Sequence, residues 1–190
     1  VLLLGVVSVG TARAGSADLL LTTTGEASSD YFGYAVAGDL DFNADGFPDL
    51  VVGAPSNQAG GGQAGRVYVY FGGPGSDNVA DVTMTGGLDD YFGWSVAKAG
   101  DVNGDGFDDI IVGALDCCLY KGMAFIYLGG PAPNNVSDLT LLGAVNDDIF
   151  GWSVAGAGDM NGDGFDDVVV GAPQNDSGGS NAGRAYVYFG

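Results

Sequence analysis

The sequence contains no histidine, two lysines, one glutamate and two cysteines among its 190 residues. Without histidine there is no Ser-His-Asp or Cys-His catalytic set and no histidine-ligated zinc. Five basic residues against 24 acidic ones leave a net charge of −19, which excludes electrostatic attraction to nucleic acid or anionic membranes. Surface helices draw on Glu, Lys, Arg and Ala, so a chain with Glu26 as its sole glutamate and 36 glycines is not helical. The apolar stretch Val1–Val9 is too short to span a bilayer, and no other segment is a transmembrane candidate. What the chain does have is aspartate: 23 of the 24 acids are Asp. Asp, Asn and Gly are residues of turns and of oxygen-ligand metal loops. The chain is also 46% hydrophobic, so it is a folding, mostly β protein rather than a disordered acidic tail.

Thr11-Ala12-Arg13-Ala14-Gly15 follows the apolar stretch, and Ala12 and Ala14 form the small-x-small pattern of a secretory cleavage site. Residues 1–14 are therefore expected to be the C-terminal part of a signal peptide; a buried strand from an earlier unit is the alternative. Residues 15–190 repeat one unit. Tyr31-Phe32-Gly33 recurs as Tyr91-Phe92-Gly93 and Ile149-Phe150-Gly151, and an Asp follows each glycine by eight residues: Asp41, Asp101 and Asp159. Each unit continues through an Asp/Asn/Gly loop into an apolar run, Leu50–Pro55, Ile110–Ala114 and Val168–Pro173. A Gly-rich stretch and a run of alternating β-formers come next, at Arg66–Phe71, Ala124–Leu128 and Arg184–Phe189. A short strand after an Asp closes the unit at Asp81–Met84 and Asp138–Leu141, with a counterpart at Asp18–Leu21.

Four short strands per unit, joined by Gly/Asp/Asn turns, predict a β-propeller blade. The second strand is apolar on both faces, as a strand between stacked sheets must be. The expected fold is all-β: three consecutive four-stranded antiparallel blades at 31–85, 91–142 and an incomplete 149–190, with an outer strand at 18–23. Propellers close with about four to eight blades, so a fragment of a longer propeller is expected.

The loops Asp41–Asp49, Asp101–Asp109 and Asp159–Asp167 place oxygen ligands at positions 1, 3, 5 and 9 and a turn-permitting Gly at position 6. The carbonyl of position 7 (Phe47, Phe107, Phe165) can join them. Hard oxygen donors in a flexible loop suit Ca²⁺ better than Mg²⁺, which demands stricter octahedral geometry. An EF-hand would need an acidic ligand at position 12 and helical flanks; Val52, Val112 and Val170 stand there, inside β runs. These are hairpin sites. Plain Asp-Asn-Gly turns are the bland alternative, but three in register with the same ligand types point to metal.

Phe-Gly, then Asp-x-Asn-x-Asp-Gly-x-x-Asp, then Val-Gly-Ala-Pro resembles the FG-GAP repeat of the integrin α-subunit propeller and its bacterial relatives. The resemblance implies a propeller of about seven blades, of which this chain is a fragment, with Ca²⁺ in the hairpin between the first two strands of each blade, about three sites in all. The ligands it implies are Asp41, Asn43, Asp45, the Phe47 carbonyl and Asp49; Asp101, Asn103, Asp105, the Phe107 carbonyl and Asp109; Asp159, Asn161, Asp163, the Phe165 carbonyl and Asp167. Leu115 departs from the pattern where the other units have Pro55 and Pro173. The expected function is a non-enzymatic, secreted or cell-surface module for adhesion or for recognition of a protein or glycan. Its binding loops would be 55–65, 115–122 and 173–183. The alternative is an accessory propeller of a secreted, phospholipase-like hydrolase whose catalytic domain is not in this chain; an acidic calcium buffer does not need such ordered aromatic strands.

Four further features carry less. Cys117 and Cys118 are adjacent, and a vicinal disulfide, pairing outside the chain and free thiols all stay open. Asn135-Val136-Ser137 and Asn175-Asp176-Ser177 are glycosylation sequons if the source is eukaryotic. Tyr34, Trp94 and Trp152 follow the Phe-Gly pairs, where packing between sheets is favoured over sugar stacking. Arg66 and Arg184 are expected to be local charge partners, and Gly60-Gly61-Gly62 lacks the Lys-Ser/Thr of a phosphate loop.

Overall fold

A computed structural model describes residues 21–115 and 120–190. The expected signal segment, residues 18–20 of the expected outer strand, and the Cys117–Cys118 pair lie outside the described residues. Residues 21–23 of that outer strand are in no strand.

The described residues form eleven strands and three antiparallel sheets. The first orders β1 (Ala35–Leu40), β2 (Asp49–Ala54), β3 (Arg66–Tyr70) and β4 (Val82–Thr85) in sequence. The second repeats this with β5 (Ser95–Gly100), β6 (Asp109–Ala114), β7 (Met123–Tyr127) and β8 (Leu139–Leu142). The third has β9 (Ser153–Gly158), β10 (Asp167–Ala172) and β11 (Arg184–Tyr188). β-Branched and aromatic residues fill β2, β3, β6, β7, β10 and β11, and glycine-rich turns bound them, as short strands require. The innermost strands β1, β5 and β9 pack in succession, so the sheets stack as consecutive propeller blades.

Two hydrophobic layers hold the stack. Between the first and second blades lie Val51, Val67, Val69 and Met84 on one side and Ile110, Val112 and Ala114 on the other. Between the second and third lie Ile111, Ala124 and Ile126 against Val168, Val170 and Ala172. Phe92 and Phe150 wedge into these layers. Phe92 sits edge-on to Phe125 and Tyr127, with centroids 5.4 and 6.2 Å away; Phe150 does the same to Tyr186 and Tyr188 at 5.3 and 6.2 Å. The glycine after each wedge ties it to its own sheet. The N–H of Gly33, Gly93 and Gly151 donates to the carbonyl of Gly53, Gly113 and Gly171, at 3.0, 3.1 and 3.1 Å. The same glycines let neighbouring blades touch: a Cβ on Gly113 would fall inside contact distance of the Gly151 carbonyl oxygen and of Ser95 Oγ.

In the first two metal-type loops, position 2 faces the gap to the next blade. Phe42 fills it, fully buried in the first layer, and its carbonyl accepts the Gly130 N–H at 2.8 Å. Val102 is smaller, and a cavity of about 240 Å³ lined by Ile126, Leu128, Leu139, Val168 and Tyr188 opens beside it. Val102→Phe should therefore stabilise the protein by about 0.5–2 kcal/mol, as cavity filling does. A thermal melt should show Tm up by about 1–8 °C at this chain length; a fall would mean that the cavity cannot take the ring.

Candidate metal loops on one face of the blades

Each loop leaves its inner strand through an irregularity. The β1–β2, β5–β6 and β9–β10 registers shift just before the loop, with left-handed φ at Asp39 (60°), Gly100 (90°) and Gly158 (66°). Such a bulge bends the strand and re-aims the residues after it. The three loops consequently emerge from the same end of successive blades.

Inside the loops the hydrogen bonds repeat. Asp41 Oδ1 accepts the Asp45 N–H at 3.0 Å and Oδ2 the Gly46 N–H at 2.8 Å. Asn43 Oδ1 accepts the Asp45 N–H at 3.1 Å, and Asp45 Oδ1 accepts the Phe47 N–H at 2.9 Å. Asn43 Nδ2 donates to Asp45 Oδ2 at 2.9 Å. The same set joins Asp101, Asn103, Asp105, Gly106 and Phe107, and again Asp159, Asn161, Asp163, Gly164 and Phe165. The backbone thus curls around positions 1, 3 and 5 and brings two carboxylates and an amide together.

Position 9 behaves differently from what its ligand chemistry alone suggests. Asp49, Asp109 and Asp167 are buried. One oxygen of each accepts the N–H of position 2: Phe42 at 2.8, Val102 at 2.9 and Met160 at 2.8 Å. The other accepts an N–H just past the third strand: Gly72 at 2.8, Gly129 at 2.8 and Gly190 at 3.2 Å. Burial pushes the Asp109 carboxyl up to about 6 and also raises that of Asp49. Among the described residues no three His, Cys, Asp or Glu side chains stand close enough together to hold a metal ion. The donor set nonetheless fits a hard cation at positions 1, 3 and 5. Position 9 serves first as a strut between loop and sheet, and each carboxylate oxygen there keeps a second lone pair.

Position 8 is a functional candidate that the loop pattern does not mark. Asp108 Oδ2 accepts the Asp41 N–H of the preceding loop at 2.8 Å, and Asp166 Oδ2 accepts the Asp101 N–H at 3.0 Å. Lys98 Nζ joins the first of these straps, 2.8 Å from both Asp108 oxygens and 3.1 Å from the Asp39 carbonyl.

At the opposite end, Asn57 Nδ2 donates to buried Asp30 at 2.8 Å and to the Tyr68 hydroxyl at 3.3 Å. Asn175 contacts Asp148 and Tyr186 in the same way. Asn175 is therefore a structural bracket, only 2% exposed, and its sequon is closed to a glycan in the folded chain; Asn135 is exposed. Burial, with the charge of Glu26, pushes the Tyr68 hydroxyl up to about 12. Arg66 is the charge partner expected, pairing with Glu26 at 2.8 Å, whereas Arg184 lies 5.7 Å over the Tyr186 ring. Tyr34, Trp94 and Trp152 pack on one another across the blades, at 4.7 and 5.0 Å between centroids, and Tyr34 and Trp152 stay about half exposed. The packing between blades is as expected, but it takes the form of an exposed ladder along the inner strands.

Stacked antiparallel blades of four, four and three strands, an aromatic-glycine wedge entering each and an Asp/Asn hairpin loop leaving each define a repeat β-propeller protein. The sequence profile of the FG-GAP repeat matches residues 32–70, 92–115 and 150–188, and the chain belongs to that family. It is 35% identical over 166 residues to Integrin alpha-5 of Xenopus laevis and 39% identical over 150 residues to Integrin alpha-6 of Homo sapiens. Those alignments cover 80% and 78% of this chain but only 16% and 13% of the two integrin subunits. No helix among the described residues is long and apolar enough to cross a membrane.

Proposed function

We propose that this protein is a calcium-binding, non-enzymatic propeller module that works at the cell surface or in the extracellular space, in adhesion or in recognition of a protein or glycan ligand. The observation that carries the metal reading is the threefold repetition of one hydrogen-bonded loop with the same side chains at positions 1, 3 and 5. Asp41, Asn43 and Asp45, with the Phe47 carbonyl and Asp49, would hold one ion; the second and third loops would hold one each with their matching residues. Bound Ca²⁺ supplies positive charge where carboxylates crowd: eleven of the 24 acids lie in the three loops. The extracellular reading rests on the integrin α relatives and on the secretory pattern around Ala14. The Gly-rich loops at the other end, of which Gln58–Gly60 are exposed, are where a ligand would be met.

Calorimetric titration with CaCl₂ tests this. Three ions per chain are expected, and Asp45→Ala should remove one of them while leaving two. Absence of any Ca²⁺ binding to the wild-type chain would overturn the metal assignment.

A further inference from the structure

Two of the three loops are held from the blade that follows them. The first loop begins at Asp41, whose N–H is held by Asp108 of the next blade; the second begins at Asp101, held by Asp166. The second contact is doubled, since the Asp166 N–H donates to the Asp101 carbonyl at 2.9 Å. Gly100 makes room for it: a Cβ there would fall on the Asp166 carboxylate.

We propose that Asp108 and Asp166 are positioning residues for the calcium sites of the preceding blades, so that each strap tightens Ca²⁺ binding in the loop it holds. The proposal rests on the reading that the loops hold Ca²⁺. The physical basis is the hinge that the strap removes. Position 1 follows a bulge with left-handed backbone, and its carboxylate direction is set by the two dihedrals around its own N–H. Fixing that N–H from a neighbouring blade fixes the ligand before the ion arrives, and groups that orient metal ligands in this way are worth about 10–100-fold in affinity. By reciprocity, an ion in one loop strengthens its contact with the next blade.

The test is Ca²⁺ binding by equilibrium dialysis and calorimetry on the full 190-residue chain, at low salt and at 0.5 M NaCl. Asp45→Ala and Asp105→Ala should each remove one site and so assign the first and second loops. Asp166→Ala should weaken the site that Asp105→Ala removes by about tenfold and leave the others unchanged, and Asp108→Ala should do the same to the site that Asp45→Ala removes. Asp166 is the cleaner case, because Gly156 stands where Lys98 does in the second blade and among the described residues no lysine pairs with it. Lys98→Met keeps the Asp108 strap and should keep the first site's affinity at 0.5 M NaCl. Unchanged affinity of the strapped site in both Asp166→Ala and Asp108→Ala, or an equal loss at all three sites, would overturn the proposal while leaving the metal reading intact. A wild-type chain that binds no Ca²⁺ at all would instead overturn the metal reading.

Discussion

Gly113→Ala should lower the stability of the protein by about 3 kcal/mol, the upper part of the range for forcing an extra methyl into a packed interior. Gly113 lies in β6, and its added Cβ would collide with the Gly151 carbonyl of the next blade and with Ser95 Oγ of its own. Neither neighbour has slack. Gly151 is fixed by its N–H bond to Gly171, and its carbonyl already accepts the Ser95 hydroxyl at 2.9 Å. Relief must come from separating two blades whose shared layer contains Ile111, Phe150, Val168 and Val170, all buried. At this chain length a loss of 3 kcal/mol lowers Tm by about 6–12 °C. Gly75 has nothing within 4 Å of a built Cβ, so Gly75→Ala is the control and should leave Tm within about a degree or two or raise it slightly. A Gly113→Ala chain that melts like wild type would show that the blades do not approach each other through this glycine.

That prediction explains a motif that could be read but not understood from the chain alone. The Phe-Gly and Gly-Ala pairs recur visibly, and their spacing sufficed for strands and loops. Their physical reason lies in two distances that one chain order cannot show: the N–H bond from one glycine to the other within a blade, and the contact of both with the adjacent blade. The same limit hid Asp108 and Asp166. Pro48 holds their place in the first loop, so the repeat looks irregular at position 8, and the partner amides are 67 and 65 residues away. Position 9 was legible as an oxygen donor but not as a buried strut, because its second bond crosses to the end of the third strand. One missed feature did carry a signal. Asp30 and Asn57 are 27 residues apart, as are Asp148 and Asn175, and the residue at the same spacing from Asp90 in the sequence is Cys117. Aligning the units would have marked Asn57 and Asn175 as brackets, and taken Asn175 off the set of glycan acceptors.

Removing Ca²⁺ should have the larger effect on the folded protein. Each loop holds carboxylates at positions 1 and 5 whose oxygens accept amides of the same loop, and a third carboxylate lies buried beneath them. Those amide bonds orient the acids without neutralising them, and the whole chain carries −19. A ligand that binds only the folded state stabilises it by about 2.7 kcal/mol at one hundred times its Kd, so three sites together contribute about 8 kcal/mol. For a chain of this size that corresponds to about 16–30 °C in Tm between saturating Ca²⁺ and chelator. Mg²⁺ at the same concentration should give a smaller shift, because an Asp-x-Asn-x-Asp hairpin does not offer it regular octahedral geometry at short distances. NaCl at matched ionic strength separates charge screening from coordination: screening acts on exposed acids wherever they are, whereas coordination acts at the loops. The decisive measurement is scanning calorimetry in CaCl₂, MgCl₂, NaCl and chelator on wild type and on Asp45→Ala. Wild type should gain most in CaCl₂, and the variant should lose about a third of that gain. Identical melting in CaCl₂ and chelator would mean that the loops are turns stabilised by their own hydrogen bonds.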